Sequence, residues 1–338
     1  KIKKKEKSKV INNRQMSSLS KALKFDLSSL WLNREKINVD SQKLFFPKDY
    51  TKVTQIETYF SCPFKHFVRY GLKIDAREDN EIKSKDIGNI CHRMAQLFVV
   101  ENLQNLGDLN ENYITNFIDN NFAQILKELN LQQKLQEAEN FAAAEYIKRQ
   151  CKLILSRICY EQKSSAFKPM YLEKQLQGMA LQVEGKNKTL KLQGKVDRID
   201  SYDGFFRIID YKTGNVNPLL KDLAYGDKLQ LFIYQKGVSE MLKLKPSGVF
   251  YFDCKFDFFE EDNGVLLKGL IINDDEVISK SDLRLGVQDK SDIISIATRK
   301  NAKDNSIYKG SAICKTSLNN LAEYRIIFSI FSCRYRNY

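Results

Sequence analysis

The chain has 338 residues, a formal net charge of +13, 43% hydrophobic residues and 29% charged residues. This composition is typical of a globular protein, and no apolar run approaches the roughly 18 residues that a membrane-spanning helix needs. The sequence contains no G-x-x-x-x-G-K-[S/T] segment, which excludes nucleotide hydrolysis at a phosphate-binding loop of that type.

The positive charge extends beyond the N-terminus. The first nine residues contain six Lys and one Glu and so contribute +5, which leaves +8 on the rest of the chain. An excess of this kind favours a polyanionic partner such as DNA. An AT-rich genome also inflates the lysine content, so charge alone leaves an ordinary basic protein as the alternative.

Cysteine and histidine usage limits the metal chemistry. The chain has seven Cys and two His, and no two cysteines form a C-x₂-C pair, which argues against a zinc ribbon or zinc finger. An odd number of cysteines without a secretory signal indicates reduced thiols and a cytoplasmic protein. Because the chain begins with Lys rather than Met, we expect a fragment of a longer gene product.

Composition and pattern predict three parts of the chain. Residues 1–50 are expected to be a basic, irregular segment that remains from an upstream domain. The main domain is expected at residues 51–315, with a helical insertion at about 105–165. Residues 316–338 are expected to form an atypical C-terminus of the kind that truncation or a shifted reading frame would produce.

The first predicted element of the main domain is a helix from Val53 to Tyr70 that is interrupted at Cys62-Pro63. Thr54 is predicted to be its N-cap, with Glu57 completing a capping box. The aromatic residues of this stretch are predicted to pack in a core, and stacking on DNA bases is the alternative. These residues are Tyr59, Phe60, Phe64, Phe67 and Tyr70.

The next element is an amphipathic helix predicted from Asp86 to Glu101. His92 lies at the edge of its apolar stripe. A single histidine in such a position is more often structural than a metal ligand, so the residues alone leave both roles open.

The most informative segment is residues 193–214, where two strand-like runs flank Asp203-Gly204. This dipeptide favours a tight two-residue hairpin turn. Closing the strands on that turn places Asp197 opposite Asp210 and Lys195 opposite Lys212. Residues directly opposite project from one face, about 5 Å apart at Cβ, so the pattern gathers two carboxylates and two ammonium groups.

Two facing carboxylates repel each other, and a divalent cation between them removes the conflict. Oxygen ligands suit Mg²⁺ or Mn²⁺, and Lys212 can then orient a water molecule or stabilise charge on a phosphoryl oxygen. A solvated hairpin with charges on its wet face is the alternative interpretation.

The remaining elements predict an α/β domain with a mixed sheet. Residues 169–176 begin the sheet, residues 222–242 have helical periodicity and residues 248–253 form a strand. Gln230 and Tyr234 are four residues apart and share one face of the predicted helix.

Five motifs in this order resemble the RecB-like branch of the PD-(D/E)XK nucleases, and the set is most similar to the AddB-type nuclease domains of helicase–nuclease enzymes. The resemblance runs from about residue 53 to about residue 315. It is carried by residues 57–72 around Cys-Pro-Phe, by residues 87–92, by residues 194–199, by residues 209–214 and by residues 229–234.

The resemblance implies a restriction-endonuclease-like core and a metal-dependent DNA exonuclease. Asp197, Asp210 and Lys212 would be catalytic, and His92 would join the two aspartates as a metal ligand. Glu173 matches an acidic family position, with a surface charge as the alternative. Gln230 and Tyr234 would line the DNA-side cleft. The implied setting is double-strand break repair with a helicase partner of the AddA type.

The family also implies a [4Fe–4S] cluster, and here the chain departs from the pattern. Cys62 matches the first ligand position, but the C-terminal C-x₂-C and the cysteine that follows it have no counterpart. Such a cluster needs four thiolates, so we expect iron-poor protein. Two other functions stay open: a stand-alone nuclease of the Cas4 type, and a catalytically silent DNA-binding or scaffolding remnant.

Overall fold

The structure is a computed structural model that describes residues 44–45, 50–74, 81–136, 141–183, 188–213, 228–254, 266–285, 287–298, 308–309 and 313–314. The chain divides into two compact units, residues 1–47 and 48–338, and all the elements named below belong to the second unit. The segments predicted at 1–43 and 316–338 lie outside the described residues.

Most helices precede the central strands in the chain. The α-helices of the described part are α1 Val53–Ser61, α2 Pro63–His66, α3 Ser84–Glu101, α4 Glu111–Glu128, α5 Gln132–Gln136, α6 Phe141–Ser164, α7 Gln230–Leu242 and α8 Asp275–Ser281. A π-helical turn, Phe67–Gly71, follows α2, and a 3₁₀ turn, Leu106–Asp108, follows α3. None of these helices is long and apolar enough to cross a membrane.

The strands form one mixed sheet and one small strand pair. They are β1 Tyr50–Lys52, β2 Lys168–Val183, β3 Lys188–Tyr202, β4 Phe205–Lys212, β5 Lys245–Asp253, β6 Leu267–Ile272, β7 Ala297–Thr298, β8 Tyr308–Lys309 and β9 Ile313–Cys314. The main sheet has the order β1-β3-β4-β5-β6-β9, and β2 also pairs with β3. Parallel and antiparallel pairs alternate within it, which confirms the predicted α/β domain with a mixed sheet.

The hairpin between β3 and β4 has the predicted turn and register. Asp203 and Gly204 both have positive φ, 40° and 78°, as a type I′ turn requires. The strands then pair from Tyr202 with Phe205 out to Arg198 with Ile209. The ladder ends there, one position before the predicted Asp197–Asp210 pair and three positions before the predicted Lys195–Lys212 pair.

Strand β3 changes its neighbour where that ladder ends. Its residues 191–193 pair in parallel with β1, whereas its residues 198–202 pair with β4. On its other edge β3 pairs with β2. Residues 194–197 therefore lie at a fork between β1 and β4, where the backbone of β3 has no neighbour among the described strands on that edge.

Two apolar cores lie against the sheet. The larger core includes the inward faces of α3, α4 and α6, and also contains Ile209 and Tyr211 of β4. The second core joins α1 and α7 to the alternate residues Ile199 and Ile208. Because strand side chains alternate, the hairpin contributes to both cores, and the fork lies where they meet.

A buried ionic network attaches the hairpin to α6. Glu161 near the end of α6 contacts the guanidinium groups of Arg198 and Arg207, and both arginines also contact Asp200. All four side chains are at most 1% exposed. The two carboxylates balance the two guanidinium charges, which is how such a set avoids an unpaired buried charge.

Two local predictions for the first helix were wrong. Helix α1 begins at Val53 with Lys52 as its N-cap, and the Glu57 carboxylate bonds Gln230 rather than the start of its own helix. Phe60 is buried as predicted, but Phe64 is 73% exposed and Phe67 is 38% exposed. The break at Pro63 redirects the chain, so the helical periodicity that placed all five aromatic residues on one face does not continue through it.

Candidate active site

The candidate site lies at the fork of β3, and Asp197 is its central residue. With no strand partner there, the Asp197 carboxylate takes the place of the ladder: its Oδ2 accepts a hydrogen bond from the backbone N–H of Tyr211 at 3.0 Å. Asp197 is 9% exposed. The hairpin that begins at a tight turn thus ends in an acidic side chain held between two strands.

Helix α3 brings His92 to this carboxylate. The Nε2 atom of His92 lies 2.5 Å from the carbonyl oxygen of Tyr211, and its Nδ1 atom lies 3.3 Å from Asp197 Oδ2. Four residues earlier in α3, Gly88 lets the hydroxyl of Thr213 approach, because a Cβ there would lie 3.3 Å from that oxygen. The helix can therefore pack close to the end of β4.

Strand β2 supplies Glu173. The pairs on either side of it, Leu172 with Arg198 and Lys174 with Val196, place Glu173 across from Asp197. Glu173 has a φ of 51°, an uncommon value for a residue with a side chain, and its carboxylate contacts Lys195. One ligand atom each from His92, Glu173 and Asp197 lie within 4.8 Å of one another.

Asp210 and Lys212 lie beside this group on β4. The Lys212 Nζ atom is 2.6 Å from Asp210 Oδ2, and the Gln230 side-chain amide donates to Asp210 Oδ1 at 3.0 Å. Asp210 is 3% exposed. The predicted gathering of Asp197, Asp210 and Lys212 is present, but it arises beyond the last ladder pair rather than within the ladder.

The electrostatics of the group favour a cation. Burial raises the pKa of Asp197, and repulsion from the Asp210 and Glu173 carboxylates raises it further. Burial also lowers the pKa of His92, so its imidazole is neutral at neutral pH. Attraction to Asp210 outweighs the effect of burial on Lys212 and raises the pKa of its ammonium group.

The hydrogen bond at His92 Nε2 identifies what its other nitrogen does. A carbonyl oxygen only accepts, so the proton of the neutral imidazole is on Nε2 and Nδ1 carries a lone pair. That lone pair and Asp197 Oδ2, both acceptors, meet at 3.3 Å. Two converging acceptors with a carboxylate across from them form a donor set that fits a divalent cation.

A comparison with protein families matches residues 52–303 to the PD-(D/E)XK nuclease superfamily. The chain belongs to this superfamily. It is therefore a nuclease domain, and its mixed sheet with flanking helices is the PD-(D/E)XK fold. Nucleases of this superfamily use divalent metal ions, which agrees with the donor set at the fork.

Curated relatives extend the similarity. The chain is 30% identical over 322 residues to the AddB subunit of the ATP-dependent helicase/deoxyribonuclease of Listeria welshimeri, covering 83% of this chain and 27% of that protein. It is 24% identical over 355 residues to the protein of the same name in Staphylococcus haemolyticus, covering 89% and 30%. The chain thus spans less than a third of the length of these relatives.

A solved structure, that of SSO0001, covers 59% of this chain and 69% of its own chain at 14% identity. Its TM-score of 0.14 is too low to support any structural argument.

Tyr234, which was predicted to line the DNA-side cleft with Gln230, is 4% exposed in this nuclease domain. Its ring lies on Gly194, where a Cβ would overlap it, and the backbone of Lys195 hydrogen-bonds its hydroxyl group. This contact favours a role in holding β3 at the fork, and the Gly-Lys dipeptide of β3 provides the space for it.

Sequence reasoning missed two features of this site. Glu57 was assigned to a helix cap, but its carboxylate reaches the first residue of α7. The buried network of Glu161, Arg198, Asp200 and Arg207 was also missed, although the predicted hairpin register does place Asp200 opposite Arg207. Oppositely charged residues facing each other on adjacent strands were therefore a usable signal.

Cys62, the one cysteine in register with the family's cluster ligands, is the N-cap of α2, where its sulfur accepts from the Lys65 N–H at 3.4 Å. Cys254 is buried in the larger core with Cys91 and Cys151. The side chains of Cys314 and Cys333 lie outside the described residues, so the expectation of an iron-poor protein stays a prediction.

Proposed function

We propose that this nuclease domain hydrolyses DNA phosphodiester bonds at the fork of β3 with a divalent ion, Mg²⁺ or Mn²⁺. His92, Asp197 and Asp210 are the proposed ligands, together with Glu173. The convergence of the His92 lone pair with the Asp197 carboxylate carries this proposal. When bound there, the ion would activate water and neutralise phosphoryl charge.

The protein side chains have separate tasks in this proposal. Asp210 accepts from Gln230 and pairs with Lys212, so the ammonium group is held at the edge of the carboxylate cluster. From there Lys212 stabilises negative charge on a phosphoryl oxygen or orients the attacking water. The Tyr211 backbone orients both Asp197 and His92 through its N–H and its carbonyl oxygen.

The names of the relatives support a physiological setting. They are subunits of ATP-dependent helicase/deoxyribonucleases, and this chain matches less than a third of each. We infer that the domain works as the nuclease part of an AddB-like protein in double-strand break repair. A helicase partner of the AddA type would supply the DNA strands.

A digestion assay tests the proposed activity. Purified protein is incubated with linear double-stranded and single-stranded DNA in Mg²⁺, in Mn²⁺ or in EDTA. We expect cleavage with either ion and none in EDTA. Asp210→Asn should abolish cleavage and leave the thermal unfolding curve in place, because it removes a charge without changing shape. Wild-type cleavage by Asp210→Asn in Mg²⁺ would refute the proposal.

A further inference from the structure

A carboxylate outside the metal-binding group connects the first helix to the active site. Glu57 of α1 is half-buried, and its Oε1 atom accepts a hydrogen bond from the backbone N–H of Gln230 at 2.9 Å. Gln230 is the first residue of α7, and Leu229, the N-cap of α7, makes no side-chain cap. Glu57 therefore caps α7 from another element, with its charge at the positive end of the helix.

The residue that Glu57 holds by its backbone holds Asp210 by its side chain. The Gln230 amide donates to Asp210 Oδ1 at 3.0 Å, and Asp210 Oδ2 is 2.6 Å from the Lys212 ammonium. Contacts thus run in order from Glu57 through Gln230 to Asp210 and Lys212. Glu57 also lies close enough to act electrostatically with Lys212 and Asp210.

We propose that Glu57 is a positioning residue for DNA hydrolysis: it fixes the start of α7 so that the Gln230 amide holds the Asp210 carboxylate in its working orientation. This inference rests on the proposed function of Asp210. Small displacements of a catalytic group lower turnover steeply, so a cap that acts through Gln230 affects the rate and not only the stability of the fold.

Two substitutions separate the hydrogen bond from the charge. Glu57→Gln keeps an oxygen that accepts from the Gln230 N–H, whereas Glu57→Ala removes the acceptor. We expect Glu57→Ala to lower kcat about 10- to 100-fold with a smaller change in KM for DNA. Glu57→Gln should stay within about 3-fold of the wild-type kcat, because the bond to Gln230 is kept.

A matched control removes a helix cap elsewhere. Asp274 caps α8 by accepting from the N–H groups of Glu276 and Val277. Asp274→Ala should lower the melting temperature while leaving kcat unchanged. If both alanine variants lose kcat in proportion to their loss of stability, capping affects only the fold and the proposal is wrong.

A double-mutant cycle tests whether Glu57 acts through Gln230. Adding Glu57→Ala to Gln230→Ala should cost little further activity, since the contact that Glu57 supports is already gone. Independent, multiplicative losses would overturn the proposal, as would wild-type kcat in Glu57→Ala or equal losses in Glu57→Ala and Glu57→Gln. Asp210→Asn, measured alongside, distinguishes this failure from failure of the proposed function, because an active Asp210→Asn refutes the latter.

Discussion

Lys212 and Lys268 have similar surroundings but different neighbours. Each pairs with an aspartate on a strand, Asp210 and Asp253, and their side chains are 37% and 36% exposed. Lys212 alone belongs to the carboxylate cluster at the fork, where attraction from Asp210 and Asp197 keeps its ammonium group charged. Their difference in effect therefore reports on the site rather than on lysine pairing in general.

We predict that Lys212→Ala lowers kcat by at least about 100-fold and changes DNA affinity much less, because an ammonium group near the reacting phosphate stabilises the transition state more than the bound substrate. Lys268→Ala is the control and should keep nearly wild-type turnover. Steady-state cleavage and DNA binding measured on both variants decide the matter. Equal losses of kcat in the two variants would contradict the assignment of Lys212.

At the scale of elements, the joint between α6 and the hairpin decides whether the fork keeps its shape. Burial alone would raise the pKa of Glu161, but the charges of Arg198 and Arg207 outweigh it and lower the pKa from 4.5 to about 2. The hairpin carries Asp197 and Asp210 directly beyond this network. A loss of charge balance there should therefore loosen the site as well as the fold.

We predict that Glu161→Gln lowers the free energy of unfolding by about 3–5 kcal/mol, because it leaves two buried guanidinium groups with one carboxylate. Glu128→Gln is the control: Glu128 also pairs with an arginine, Arg93, but at the surface, so its loss should have little effect. Chemical denaturation of both variants measures the difference.

The same variant predicts a pH dependence. The folded pKa of Glu161 lies below its ordinary value, so its stabilisation is complete above about pH 4.5 and is lost as the pH falls towards 2. The stability gap between the wild type and Glu161→Gln should thus be constant near neutral pH and shrink in acid. A gap that does not change with pH would show that Glu161 is not ionised in the folded protein.

The hairpin could be predicted because its determinants are local. Asp203 and Gly204 set the turn, the turn sets the register, and alternation then assigns Asp210 and Lys212 to one face. The position of His92 in an amphipathic helix was equally local. These features depend on neighbours in sequence, which a single sequence displays.

The features that were missed depend on distant contacts. The fork exists because Tyr50–Lys52 pairs with residues about 140 positions later, and no local pattern encodes that pairing. Glu57 has a capping spacing to Thr54, yet its carboxylate bonds a helix that begins at Gln230. A local pattern that competes with a long-range contact is a weak guide, because tertiary packing decides between them.

At the scale of the whole molecule, the net charge of +13 contrasts with a site made of carboxylates. A cation at the fork and lysine and arginine side chains elsewhere are both needed before a polyanion can approach acidic ligands. Recognition of the DNA backbone and hydrolysis therefore rely on different charged groups in the same chain.

We predict that DNA affinity falls at least about tenfold between 50 and 200 mM salt, because contacts with phosphates release condensed counterions. The measurement is fluorescence anisotropy with a labelled oligonucleotide and the inactive Asp210→Asn variant, so that no cleavage intervenes. Affinity that is constant across this range would mean that the basic excess has another purpose.

The most direct test of the central claim, that one metal centre at the fork hydrolyses DNA, is a paired measurement on Asp197→Asn. The substitution keeps an oxygen that can accept from the Tyr211 N–H but removes a ligand charge. Mn²⁺ binding by titration calorimetry and DNA cleavage are measured on the same preparation. We predict that Mn²⁺ binding weakens at least about tenfold and that cleavage is lost, while the melting temperature stays within a few degrees of the wild type. Cleavage at the wild-type rate by Asp197→Asn would contradict the account.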